Sequence, residues 1–164
     1  MTRSLRITAL LVLALLAAAP ALAQTPSQKA FEAIKNLPGT WEGTSSKGDV
    51  QVTFKLASGG SAVMSEINHE SMISVFHMDG PNRLIMTHYC ATGNQPRMQA
   101  AVSPDGKVIT FTYFDATNLS APDAGHMQKM VLTVVDDNHH VEEWTFNDHG
   151  KEMKEVFDLR RTRL

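Results

Sequence analysis

The feature that most constrains this chain is its punctuation. Turn-forming clusters recur along it at Pro38-Gly39, Lys47-Gly48-Asp49, Ser58-Gly59-Gly60, Asp79-Gly80-Pro81-Asn82, Thr92-Gly93-Asn94, Pro104-Asp105-Gly106, Asp136-Asp137-Asn138 and Asn147-Asp148-His149-Gly150, mostly 10 to 13 residues apart. Glycine supplies positive φ, proline pre-sets φ, and Asn or Asp tolerates the left-handed region, so each cluster is a turn with a physical cause. Segments of that length with no helical pattern between them predict an antiparallel meander closing into a barrel or sandwich.

The intervening segments agree. Val50, Val52, Phe54 and Leu56 alternate with Gln51, Thr53 and Lys55, the pattern of a strand with one wet face. Val108–Phe114 and Met130–Val135 are rich in β-branched and aromatic residues, and Trp144 and Phe146 alternate with Glu143, Thr145 and Asn147. About ten strands are expected, so the fold class is all-β, an antiparallel up-and-down β-barrel with a short N-terminal helix. That helix is predicted over Ser27 to Leu37, where Phe31 and Ile34 recur at helical spacing before Pro38-Gly39 stops it. Asp115 to Gly125 breaks the rhythm and reads as a long loop, a portal candidate over a barrel mouth.

Ahead of the barrel lies a different composition. Residues 1–23 begin with Arg3 and Arg6, continue in an unbroken apolar run from Leu10 to Ala19, and end in Ala21-Leu22-Ala23, the small-x-small pattern of a cleavage site. The expectation is a signal peptide at 1–23, an N-terminal segment at 24–38 and a barrel domain at 39–164, in a periplasmic or secreted bacterial protein without a stable membrane anchor. The apolar run is shorter than the ~20 residues a spanning helix needs. Cleavage near Ala23 leaves thirteen Lys and Arg against seventeen Asp and Glu, a net charge of −4. Such a surface disfavours nucleic acid and anionic membranes as partners. With Cys90 as the one cysteine, no internal disulfide is available and the core must supply the stability.

Gly39-Thr40-Trp41, following a short helix and opening the first strand, resembles the Gly-x-Trp start of the calycin superfamily of lipocalins and fatty-acid-binding proteins. Gly39 to Gly43 is also similar to the opening of nitrobindin-type barrels, and the stretch from Thr87 to Met98 resembles exported bacterial lipocalin-like barrels of undescribed function. In lipocalins the tryptophan is covered by an arginine of the last strand. The resemblance therefore implies a structural pair, Trp41 with Arg160, among the arginines at 160, 161 and 163. It also implies a small hydrophobic ligand inside the barrel. Nitrobindin-type proteins ligate haem through a histidine near the C-terminus, and here no histidine follows His149, so the cofactor expectation is none, with haem as the alternative.

Several polar residues stand out as candidates for holding a ligand. His88 shares a strand parity with Leu84, Met86 and Cys90, a pattern of burial more than of reactivity. Asn94, Gln95 and Arg97 follow at a turn, where fixed amides and a guanidinium could orient a ligand head group. Glu66 and His77 sit in strands with mixed faces, and either could point inward. His139 and His140 lie among Asp136, Asp137, Glu142 and Glu143, which reads as a charged, solvated hairpin, so no metal site is assigned. Eight methionines follow residue 23, suited to an adaptable apolar cavity or to an ordinary core. No phosphate loop, nucleophile elbow or zinc-protease helix is present, and no catalytic residue is assigned. The leading expectation is an exported barrel that binds a small, mostly hydrophobic molecule. The alternatives are a haem-dependent or cofactor-free isomerase-type enzyme and a non-catalytic envelope interaction module.

Overall fold

The computed structural model describes residues 23–68 and 71–163; the expected signal peptide, apart from its last residue Ala23, lies outside the described residues. Among the described residues one α-helix, α1 (Pro26–Lys35), precedes ten strands: β1 (Gly39–Ser45), β2 (Gly48–Ala57), β3 (Ala62–Ile67), β4 (Met72–Asp79), β5 (Arg83–Tyr89), β6 (Gln95–Val102), β7 (Val108–Thr117), β8 (His126–Asp136), β9 (His139–Asp148) and β10 (Lys151–Arg163). Each strand pairs antiparallel with its neighbours in sequence, and β1 pairs with β10 to close the sheet. The result is the up-and-down barrel that the turn spacing predicts.

The helix begins with a reciprocal cap. Thr25 Oγ1 accepts from the Gln28 amide while Gln28 Oε1 accepts from the Thr25 amide, and Pro26 fills the first helical position. α1 ends at Lys35, two residues before the predicted stop, but Leu37 is still buried with Ala30, Phe31 and Ile34. This apolar face joins the same core cluster as Trp41, Phe54, Phe76 and Phe111 inside the barrel. Thr25 Oγ1 and Ser27 Oγ donate to the Pro81 and Asn82 carbonyls of the β4–β5 turn. The helix thus plugs one end of the barrel.

β7 extends into the segment that reads as loop in the sequence. It runs to Thr117 because Asp115 pairs opposite Arg97 and Thr117 opposite Gln95, which shortens the loop to residues 118–125. Among the described residues no helix is long and apolar enough to cross a membrane.

The closing seam explains the Gly-x-Trp-x-Gly opening. Gly39 adopts φ 129°, open to glycine and strained for other residues. A Cβ on Gly43 would run into the carbonyl oxygen of Asp158 on β10, so only glycine lets the two strands approach. Trp41 between them is fully buried, and its Nε1 donates to the Leu37 carbonyl at 2.8 Å. The arginine over its ring is Arg161, at 4.2 Å from the ring centroid, which corrects the assignment to Arg160. Side chains alternate along β10, so Leu159 and Arg161 share the face toward Trp41 while Arg160 is exposed. Arg161 also donates to the carbonyls of Asn36, Pro38 and Asp137.

A cation–π contact contributes roughly 0.5–2 kcal/mol and a charged hydrogen bond roughly 1.5–3 kcal/mol, partly offset here by solvent. Arg161→Ala should therefore lower the unfolding free energy by about 2 kcal/mol, against less than about 0.5 kcal/mol for Arg160→Ala, as read from urea denaturation. Gly43→Ala should cost about 1–3 kcal/mol through overpacking, with faster amide exchange confined to β1 and β10.

Candidate functional site

Within the barrel, every second residue of each strand points inward, and the interior is not uniform along its axis. Nearest the helix it is solidly packed by Trp41, Phe54, Phe76, Leu84, Phe111, Ile109, Leu132 and Leu159. Phe76 meets Phe111 edge to face at 5.5 Å, and His140 meets Trp41 at 4.2 Å and Phe54 at 5.6 Å, also edge to face.

β9 carries a polar thread from that packed end toward the opposite mouth. His140, Glu142, Trp144 and Phe146 occupy alternate positions, and the first three are buried. His140 Nε2 lies 3.2 Å from Glu142 Oε1, and Trp144 Nε1 donates to Glu142 Oε2 at 2.9 Å. The pair that reads from sequence as a solvated hairpin is thus an interior feature, because the β8–β9 turn ends at Asn138 and His140 is already inside. Among the described residues no group of three or more His, Cys, Asp and Glu is arranged to hold a metal ion.

Across the barrel from Trp144, His88 on β5 is fully buried, its ring centroid 5.1 Å from the indole. Ser74 Oγ on β4 lies 2.9 Å from His88 Nδ1, whereas His88 Nε2 has no hydrogen-bond partner among the described residues. Burial disfavours the imidazolium and lowers the His88 pKa from 6.5 to about 4.

Beyond this layer the barrel opens. A cavity of about 600 Å³ occupies the end opposite the helix, lined by Ile67, Met72, Cys90, Met127, Trp144, Phe146, Met153 and Phe157, with Lys47 and Glu155 at its rim. Glu155 accepts from the backbone amide and the hydroxyl of Ser46, which fixes the β1–β2 turn against β10. Beside it lies a second, more polar hollow of similar volume bounded by Asn94, Asn118, Ser120, Phe146, Asp148 and His149. The loop after β7 borders this hollow, next to the mouth.

The residues singled out from sequence are distributed widely. His88 is interior, one layer below the cavity. Asn94 is buried at the second hollow, where its Nδ2 donates to the Gly125 carbonyl at 2.8 Å. Gln95 ties its own hairpin to β7, donating to the Gly93 carbonyl and accepting from Thr117 Oγ1. Arg97 is exposed on the outer face of β6, bidentate to Asp115 and stacked over Phe114 at 5.3 Å. Glu66 and His77 are half-buried and lie on the faces opposite to the inward residues, Ser65 and Ile67 on β3 and Ser74 and Phe76 on β4. The residues that sequence reasoning misses are Ser74 and the interior Glu142; the signal for Glu142 is its parity with Trp144 and Phe146.

Among the described residues no imidazole lines the apolar cavity, whereas His149 borders the second hollow.

Comparison with known proteins places the architecture and little more. No family model and no curated protein matches the chain. Among solved structures it is similar to Rv2717c from M. tuberculosis, with 16% identity, a TM-score of 0.56, and coverage of 86% of this chain and 100% of that one. A redesigned β-barrel matches at 18% identity and a TM-score of 0.36, over 79% of this chain and 95% of that one. The class these findings define is a closed ten-stranded antiparallel β-barrel, helix-plugged at one end and open at the other.

The depressed pKa of His88 has a consequence for stability. Between about 4 and 6.5 the unfolded chain binds a proton at this residue that the folded chain does not, so stability falls as pH drops through that window. The slope is at most about 1.4 kcal/mol per pH unit. Urea unfolding at pH 7 and at pH 4.5 should show this loss in the wild type and a shallower one in His88→Met.

Proposed function

We propose that this protein is an exported, calycin-like barrel that binds a small, mostly hydrophobic molecule in its open mouth. The observation that carries the reading is the asymmetry of the interior. A barrel that served only as a rigid scaffold would be filled from end to end, whereas this one is packed beneath the helix and open above Trp144, with an apolar lining. Its volume of about 600 Å³ falls in the ~300–1,000 Å³ range of small-molecule sites. Methionines at 72, 127 and 153 give the lining an adaptable surface.

Cys90 is an intrinsic reporter, as the single cysteine of the chain and a half-buried part of the lining. N-phenyl-1-naphthylamine, a neutral apolar dye, should brighten on binding and slow the alkylation of Cys90 by N-ethylmaleimide. Met153→Glu places a charge at an exposed lining position and should weaken dye binding at least tenfold. Arg97→Ala, on the outer face, should leave it unchanged. Absence of dye binding together with unaltered alkylation would overturn the proposal.

A further inference from the structure

The hydrogen-bond pattern around His88 specifies more about the ligand than the cavity lining does. Ser74 Oγ has His88 Nδ1 as its one hydrogen-bond partner among the described residues. If Nδ1 carried the proton and donated to Oγ, both the serine's hydroxyl proton and the Nε2 lone pair would be left without a partner in a buried site. If the hydroxyl donates to Nδ1, both groups are satisfied at that contact, and the imidazole proton sits on Nε2. That Nε2–H is fully buried and has no acceptor among the described residues. An orphaned buried donor costs about 1–3 kcal/mol and calls for a partner.

The direction from which a partner would come follows from the strands. Cys90 and Met72 line the cavity, and His88 and Ser74 lie two residues deeper along β5 and β4, about 7 Å below at the usual strand rise. Trp144, whose ring is 5.1 Å from the imidazole, belongs both to the lining and to the His88 layer. Met72, one inward position nearer the mouth than Ser74 on the same strand, belongs to the lining above this layer and is an unbranched side chain that turns aside readily.

The charges nearby select among acceptors. Among the described residues, none of the buried polar side chains is a lysine or arginine. Glu142 lies behind Trp144, accepting from its Nε1 on one oxygen and meeting His140 Nε2 with the other. The cavity's lysines, Lys47 and Lys154, are exposed at its rim, so an anionic head group at the depth of His88 would be stripped of water with no buried lysine or arginine to offset its charge. A neutral acceptor avoids that cost.

We infer that the cavity takes a neutral, largely apolar molecule bearing a carbonyl oxygen, of the ketone, ester or amide class, and that this oxygen accepts from His88 Nε2–H. The inference rests on the proposed function, since it assigns the polar end of a ligand held in the same cavity. Ser74 is a positioning residue that acts through His88 by fixing its tautomer.

Three probes built on one ring system separate the possibilities by calorimetry: naphthalene, 2-acetonaphthalene and 2-naphthoate. The wild type should bind 2-acetonaphthalene roughly tenfold more tightly than naphthalene, and 2-naphthoate more weakly than the ketone. His88→Met should abolish the preference for the ketone while leaving naphthalene binding intact, and Ser74→Ala should reduce it. Long-range proton–nitrogen spectra of the wild-type imidazoles supply a test independent of any variant. His88 should be the Nε2–H tautomer, and its Nε2 resonance should move with 2-acetonaphthalene and stay in place with naphthalene. Equal affinity for naphthalene and the ketone, a preference that survives in a folded His88→Met, an Nδ1–H tautomer, or tighter binding of the carboxylate would each overturn the inference and leave the cavity reading standing. Failure of all three probes to bind would overturn the cavity reading itself.

Discussion

The guanidinium of Arg161 holds together the parts of this molecule that are farthest apart in sequence. Nine of the ten strand pairings join neighbours in the chain and need only a short turn. The tenth, β1 with β10, joins the two ends of the barrel and must overcome the entropy of closing nearly the whole chain into a loop. Arg161 acts at that seam, covering the Trp41 indole while donating to carbonyls of the helix end, the β1 entry and the β8–β9 turn. Gly43 lets the seam close to hydrogen-bonding distance. Closure gives every strand a single inside, and the interior gradient depends on it.

That gradient divides the barrel into a packed end, a polar middle and an open mouth. Aromatic and aliphatic side chains beneath the helix exclude water and provide the core that a chain with one cysteine requires. The polar middle contains groups that would be costly in such a setting unless bonded, and most are: Glu142 accepts from Trp144 and meets His140, and Ser74 meets His88. Trp144 belongs to two of these regions at once, since its Nε1 anchors it to Glu142 while its ring forms part of the cavity lining. The polar thread thereby fixes the position of an apolar wall.

Much of the architecture is legible in the sequence because its causes are local. Gly80, Gly93, Gly106 and Gly150 all take positive φ at the turns that their neighbours suggest, and Val50, Val52 and Phe54 are buried as their alternation implies. The site is less legible. Arg97 has the look of a ligand anchor beside a turn, but its partner Asp115 sits on the outer face across the β6–β7 pairing, a match that no single segment discloses. The step from Arg160 to Arg161 over Trp41 is one residue, and in a strand one residue exchanges the two faces. His140 and Glu142 read as solvated because charge is usually outside, while their parity with Trp144 points the other way.

By itself, the sequence determined a count of about ten strands, their antiparallel order and the capping helix, since each follows from turn chemistry or from periodicity within a few residues. Only the tertiary structure decided which face of each strand became the inside, where packing stops and the cavity begins, and that Ser74, His88 and Trp144 meet. Those outcomes depend on register between segments, and register is set when the whole sheet closes and buries one face. The turns announce a barrel, while the contents of its mouth are a property of the closed ring.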